Sequence, residues 1–372
     1  MTTSSSALTV PSALSRLNEV GRTLGKRLML DRQVDFWLSE LRPVWSLRER
    51  RAEVVEIIDE ARDVKTFVLV RHRRATPWPA HRAGQYVPID VEIDGRRLRR
   101  CYSISSAPEP GRFAITVKRV PGGRVSSWLH EHVRVGHVLL ALAPLGEFVL
   151  PVSTPPELLF VSGGSGVTPA MSMLRELARR DEICDVVFVV CARSEADGIF
   201  VRELRAIEAR QPGLRLVLRY DDAPEATPLD PATLRALVPD LARRTAFLCG
   251  PAPMMAALAP VWQAADLAPR LKTERFASSP ARALATSTQA RVHLRQAGRS
   301  VLASGPGSLL DQLERVGERP ANGCRMGICN TCRCRKVSGV TEDVTTGAIS
   351  SAPDEEIKLC VSIARSDLEL GL

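Results

Sequence analysis

The spacing of apolar residues changes character along the chain, and each change predicts a different architecture. Leu14, Leu17, Val20, Leu24 and Leu28 recur at intervals of three and four, the period of an amphipathic helix. Arg16, Arg22, Lys26 and Arg27 lie among them, and Phe36, Trp37, Leu38 and Trp45 follow. Residues 1–50 therefore read as a helical extension, one that either packs on the body or meets a membrane surface or partner. Over residues 51–152 the period shortens. Val54–Ile58, Val64–Val70, Val87–Ile93 and Phe113–Val120 alternate or run apolar between Gly and Pro breaks, with a single helical hint at Ser126–His132. Short strands punctuated in this way predict an antiparallel β-barrel.

Residues 153–276 switch to alternation of strands and helices. Leu158–Val161, Asp185–Cys191, Leu214–Leu218 and Thr245–Cys249 have the length of buried strands. Val167–Arg180, Ile199–Ala209, Pro231–Leu237 and Pro251–Ala264 read as the helices between them. That pattern predicts a doubly wound α/β parallel sheet. Ala277–Ala290 is small, polar and aperiodic, the composition of a linker. Residues 291–372 then predict a compact unit: two strands about a turn at Gly298, and a capped helix from Ser308.

A length of 372 residues suits this multidomain division, since domains run roughly 100–200 residues. With 45% hydrophobic and 25% charged residues, each part has the means to bury a core. No run approaches the ~18 apolar residues of a membrane-spanning helix. Met1–Val10 lacks a basic start and an apolar stretch, so the expected location is the cytoplasm. The net charge of +9 raises the question of nucleic acid, but the basic residues are dispersed and aromatic residues make up only 5%. A phosphate-bearing cofactor or an anionic membrane accounts for the charge equally well, and no nucleic-acid partner is expected.

The cysteines carry more information. Five of nine crowd the last fifty residues, and Cys324, Cys329, Cys332 and Cys360 have the spacing C-x4-C-x2-C…C. Four thiolates so arranged match a plant-type [2Fe–2S] site, with Gly323 and Gly327 allowing backbone to curl around it. Zinc is the alternative, but zinc sites favour cysteine pairs in two knuckles. A Rieske centre needs two histidines, and His293 is the only one after the linker. Cys334 is surplus and reads as a bystander.

Two glycine loops follow predicted strands: Gly163, Gly164 and Gly166 leading to Thr168 and Pro169, and Cys249-Gly250-Pro251. Glycines there let backbone amides approach a pyrophosphate at a helix N-terminus, and two such loops point to one crevice. In the barrel region Arg100 and Tyr102 could serve a pyrophosphate and a ring system in turn, and Ser103 could hydrogen-bond a flavin or a neighbouring phosphate. Gly123, Val125 and Ser126 form a further candidate anion-binding turn.

Taken in order, these residues resemble the ferredoxin–NADP reductase family. Arg100–Ser103 is similar to its R-x-Y-S flavin motif, Gly84–Tyr86 to its approach strand and Gly123–Ser126 to its flavin pyrophosphate turn. Gly163–Pro169 and Cys249–Pro251 resemble its pyridine-nucleotide motifs. The resemblance implies FAD on the barrel, with Val117 and Lys118 also in its site, and nicotinamide on the α/β domain. Hydride transfer is implied where they meet, among Ser103, Thr168, Cys249 and Phe276. Residues 291–372 resemble plant-type ferredoxins, which implies a β-grasp fold with the four named cysteines as ligands. Their eleven basic and ten acidic side chains depart from the acidic character common in such ferredoxins.

Arg193, Ser194 and Arg219 stand at strand ends where NADP keeps its extra phosphate, which favours NADPH; Glu195 nearby keeps NADH open. The cofactor order resembles reductases of aromatic-ring oxygenases and of membrane di-iron desaturases. Asp35–Leu47 looks like the extension of bacterial electron-transfer partners of acyl-CoA Δ9 desaturases. The expected acceptor is therefore a membrane fatty-acyl desaturase, with peripheral membrane contact through residues 1–50. The reductase of a soluble oxygenase is the alternative enzyme, and a redox-sensing module the alternative outside enzymes. No general acid or nucleophile is expected.

Overall fold

The computed structural model describes residues 31–41, 44–46, 49–71, 80–223, 227–264, 267–276, 289–327 and 329–372. The helical period of Leu14–Leu28 lies outside these residues. The first described element, α1 (Asp31–Leu41), exposes Phe36, Trp37 and Leu41. Behind it Val44 and Ser46 are buried, and the Ser46 hydroxyl donates to Asp35 Oδ1 at 2.9 Å.

Six antiparallel strands follow: β1 (Arg51–Ala61), β2 (Val64–Val70), β3 (Tyr86–Ile93), β4 (Arg96–Ser103), β5 (Arg112–Lys118) and β6 (Val138–Ala141). Their order is β4-β3-β6-β1-β2-β5, and an Ile104–Ile115 bridge joins the two ends into a barrel. Phe67, Leu69, Val87, Ile89, Ile104 and Ile115 fill it from alternate positions. Two strands differ from expectation. The segment RRLRRCYS of β4 shows no alternation, because most of its side chains are only half covered; it pairs with β3 along its whole length. β6 is only four residues long. The helix α2 (Arg124–His132) starts two residues earlier than predicted and buries Val125 and Leu129 against the barrel.

The next sheet is wholly parallel, in the order β11-β10-β7-β8-β9: β7 (Leu158–Gly163), β8 (Val186–Ala192), β9 (Leu214–Tyr220), β10 (Thr245–Cys249) and β11 (Leu271–Glu274). Phe160, Phe188 and Phe247 pack on one face beneath α3 (Val167–Arg180), and α4 (Val201–Arg210) adds Leu204 and Ile207. Trp262 anchors the other face, near α5 (Pro231–Leu237). The edge strand β11 is a further departure, too short and half covered to show as an apolar run. The single predicted helix Pro251–Ala264 is two, α6 (Ala252–Leu258) and α7 (Pro260–Ala264), since Pro260 has no amide to continue the ladder.

The C-terminal unit has a mixed sheet of order β13-β12-β19-β14-β17 and a small one of order β16-β15-β18. Its strands are β12 (Ala290–Leu294), β13 (Arg299–Ala303), β14 (Arg333–Ser338), β15 (Thr341–Asp343), β16 (Ile349–Ser350), β17 (Glu355–Lys358), β18 (Ser362–Ala364) and β19 (Leu368–Leu370). Ala290, placed in the linker by composition, already pairs within β12. The helix α8 (Leu309–Arg315) begins with a reciprocal Ser308–Asp311 capping box. Leu309, Leu310 and Leu313 close the core over Val292 and Ile363. Among the described residues no helix is long and apolar enough to cross a membrane.

Candidate functional site

The glycine loops meet at the carboxyl ends of β7 and β10. A Cβ on Gly166 would lie 2.2 Å from the Cys249 carbonyl oxygen, and one on Gly163 would lie 2.7 Å from Pro251. The loops thus pass at a separation only glycine permits. Gly163–Gly166 leads into α3, where Thr168 and Pro169 are buried in the first turn and Thr168 donates to Ser165 O at 2.9 Å. The Gly163–Gly166 loop lines a cavity at the positive end of the helix dipole.

Two cavities flank the crossing. One, of about 300 Å³, is bordered by Gly250, Arg275 and Phe276; the other, of about 520 Å³, by Arg193, Arg219 and Tyr220. Both include Lys118, Gly163, Gly164 and Pro251, so they form one trough from Phe276 to the ends of β8 and β9. Arg193 is exposed, with Nη2 3.6 Å from Asp197 Oδ1. Ser194 is committed locally: its hydroxyl donates to Asp197 Oδ2 at 2.8 Å and helps hold that carboxyl below its ordinary pKa. Arg219 donates to Thr227 O at 3.0 Å and lines the cavity.

On the barrel, Ser103 ends β4 buried, with no partner for its hydroxyl oxygen among the described residues. A buried polar atom left unpaired is a cost the fold tolerates where a ligand completes it. Burial pushes the Tyr102 phenol up, and its ring packs on the barrel core. Val117 is buried within that core, while Lys118 reaches the trough. Gly123 caps α2, and the Ser126 hydroxyl closes the turn by accepting from Val120 N at 3.1 Å. Arg100 reaches beyond the barrel. Its Nη1 donates to Arg99 O at 2.7 Å and, across to the C-terminal unit, to Gly323 O at 3.3 Å.

Glu274 is a site residue that sequence reasoning passed over, although an acid closing an edge strand two residues before Phe276 was a usable signal. It pairs in register with Cys249, and its Oε2 has no partner among the described residues. Burial pushes its carboxyl up to about 8, and burial with the neighbouring Glu274 pushes the Cys249 thiol up. Unfolding would return Glu274 to its ordinary value near 4.5. The folded state therefore holds the extra proton between these values, and this group's contribution to stability falls as pH rises through that window. The melting temperature of flavin-free protein should decline from pH 5 to 8 more steeply than that of Glu274→Gln. Parallel curves would remove Glu274 as the source.

Cys324, Cys329 and Cys332 share the loop before β14, and Cys360 sits in the turn after β17. Cys324 lies against Cys329 and Cys360, and Cys332 lies against Cys360. Backbone amides surround these sulfurs. Cys324 N donates to Cys329 Sγ at 3.2 Å, Met326 N to Cys324 Sγ at 3.4 Å and Gly327 N to Cys360 Sγ at 3.2 Å. Gly327 has φ +78, and Lys358 Nζ donates to its carbonyl at 2.6 Å. Such amide donors favour sulfur carrying negative charge. Among the described residues no three His, Cys, Asp or Glu groups are arranged for a metal ion. The four thiols meet pairwise in a row instead. Cys334 lies apart on β14, its thiol pushed up by burial to about 11.

A barrel with a flavin-type motif strand, joined to a parallel sheet with a pyridine-nucleotide crevice, defines an oxidoreductase of the ferredoxin-reductase type. The comparisons with known proteins agree. Residues 51–150 match the oxidoreductase FAD-binding domain, and residues 160–259 match the oxidoreductase NAD-binding domain. The chain is 37% identical to an NADPH oxidoreductase of Mycobacterium tuberculosis, over 94% of its own length and 92% of the relative's. It is 32% identical to the glycine betaine monooxygenase reductase subunit of Chromohalobacter salexigens, over 88% and 96% respectively. The solved structure of phthalate dioxygenase reductase, described as transferring electrons from pyridine nucleotides to [2Fe–2S], shares the fold. It has a TM-score of 0.60 at 24% identity and covers 87% of this chain and 98% of its own. The chain belongs to this family of FAD- and NAD-binding oxidoreductases.

Proposed function

We propose that the chain is the NADPH-dependent reductase component of an oxygenase system, passing electrons through FAD and a [2Fe–2S] cluster on a β-grasp ferredoxin domain. One observation carries this reading. A cavity of about 840 Å³ is bounded by Tyr86 and Phe148 of the barrel, by Glu274 and Arg275 of the parallel-sheet unit, and by Met326 and Gly327 of the cysteine loop. Barrel, parallel-sheet unit and cysteine loop thus border one space, and Arg275 also lines the nucleotide trough. FAD supplies conversion of a two-electron hydride donor into single electrons, which the cluster carries onward.

The chain's own residues orient these groups. Gly163, Gly164 and Gly250 bring backbone amides to the nucleotide pyrophosphate at the α3 N-terminus. Thr168 and Cys249 flank the nicotinamide, and the unpaired Ser103 hydroxyl is a donor for the flavin ring. Phe276, which lines the trough, would cover the flavin face. Cys324, Cys329, Cys332 and Cys360 are the cluster ligands, and the loop amides offset their charge.

The test is an anaerobic visible-absorbance titration with NADPH, then NADH. Bleaching of flavin and cluster bands at lower NADPH than NADH supports the reading; intact bands with both nucleotides would end it. Arg193 and Arg219 are proposed to hold the adenosine 2′-phosphate. Removing both as Arg193→Ala/Arg219→Ala should raise KM for NADPH about tenfold or more while leaving NADH nearly unchanged, since each lost charged hydrogen bond costs about 1.5–3 kcal/mol. Equal losses with both nucleotides would place the arginines elsewhere.

The glycine betaine monooxygenase relative favours an oxygenase as acceptor. A membrane fatty-acyl desaturase is the second reading, favoured by the exposed Phe36, Trp37 and Leu41 of α1. Aromatic side chains on such a face suit a peripheral membrane contact. Deleting residues 1–50 should then impair desaturase coupling but spare dye reduction; equal losses in both would discard the docking role.

A further inference from the structure

We infer that β4 is the docking strand for the cysteine loop and that Arg99 is a positioning residue for electron exit. Arg99 lies outside the R-x-Y-S motif, one residue before it. Its Nε and Nη2 donate to Asp90 Oδ1 and Oδ2 at 2.6 and 2.7 Å, a bidentate pair with the carboxylate almost fully covered. Asp90 stands opposite Arg99 in the β3–β4 register, so the pair is anchored by the barrel ladder itself. The planar fork leaves one edge free, and Nη1 uses it to donate to Thr331 Oγ1 at 3.1 Å. Thr331 directly precedes Cys332.

The next residue grips the other end of the loop. Arg100 donates to Gly323 O, directly before Cys324. Gly323 has no space for a side chain there, since a Cβ would lie 3.2 Å from Arg99 Cδ and 2.8 Å from Cys329 Sγ. Cys101, third in the row, lies against Cys324 and Cys329. Three consecutive residues of β4 therefore hold residues 323–331, and the same strand ends two residues later in the unpaired Ser103. The strand that presents the flavin motif also sets the distance from that motif to the sulfurs. Electron transfer falls steeply with distance, so a loosened loop slows this step and spares the hydride step.

The inference rests on the proposed [2Fe–2S] reading, and the experiment separates the two. Thr331→Val removes only the hydroxyl, and Arg99→Lys keeps the charge but cannot bridge Asp90 and Thr331 together. Full-length protein is used as purified, and again after iron removal. In both variants amide exchange of residues 323–331 in the iron-depleted chain should accelerate about tenfold, as expected when a charged hydrogen bond is lost. In the loaded protein NADPH should reduce the flavin at the wild-type rate, while bleaching of the cluster bands slows several-fold. Wild-type exchange in both variants would overturn the docking role. Wild-type bleaching would overturn the positioning role. Wild-type protein lacking iron and sulfide would instead overturn the cluster reading, with the exchange data still deciding the docking.

Discussion

Cys360→Ser should abolish retention of iron and reduce NADPH-driven cytochrome c reduction by about 100-fold or more, beyond the 10–100-fold typical of lost outer-shell support. Flavin content and ferricyanide reduction should stay close to wild type. Cys360 comes from a different element than the other three cysteines, and its sulfur touches both Cys324 and Cys332. It also accepts from the Gly327 amide, so it ties the turn after β17 to the loop before β14. A serine oxygen is smaller and harder than thiolate sulfur and suits iron–sulfur chemistry poorly. Retained cluster bands at wild-type iron content would remove Cys360 from the ligand set. Cys334→Ser serves as the control, since Cys334 lies apart from the row of sulfurs, and it should leave iron content unchanged.

Gly166→Ala should be nearly as damaging at the opposite end of the electron path. Gly166 has an ordinary helical φ of −62°, so strain in its own backbone is not the reason. The added carbon would meet the Cys249 carbonyl oxygen at 2.2 Å, its carbon at 2.6 Å and Gly250 Cα at 2.9 Å. All three are backbone atoms, so no side chain can swing aside, and the α3 N-terminus must part from the end of β10. Displacement of about 1 Å in a positioning element can cost 10²-fold in rate. Flavin reduction by NADPH should fall by about that factor, with a lower melting temperature and unchanged FAD content. Gly164→Ala is the contrasting variant, because its Cβ would enter open space and meet only the strain of φ +53. Wild-type KM and melting in Gly166→Ala would show that the two loops do not meet as described.

How legible this was depended on where burial writes itself into composition. β2, β10, α3 and α5 matched their predicted bounds because their apolar positions follow the local period and clear breaks flank them. The glycine loops were legible because their geometry excludes other residues. β4 was hidden by its arginines, which serve contacts with other elements and so obey no strand period. β11 was hidden by brevity, and the break at Pro260 by helical residues on both sides. The same logic applies to the site. Arg100, Ser103, Thr168 and Cys249 could be picked out by motif, but Glu274 gains its raised pKa only through burial beside β10. The approach of Arg99 and Cys101 to the cysteine loop depends on residues more than two hundred positions away.

The crossing of the glycine loops also bears on how such a protein could change its electron donor. Where α3 meets β10, backbone lies on backbone, and almost any substitution collides. At the far end of the trough Arg193 is exposed, and half-buried Arg219 donates to the Thr227 carbonyl. The half of the trough proposed to receive the pyrophosphate is thus closed to variation, and the half proposed to tell one dinucleotide from another is open to it. If the proposed nucleotide site is right, its preference between NADPH and NADH could change through a few surface substitutions without disturbing the crossing of the loops.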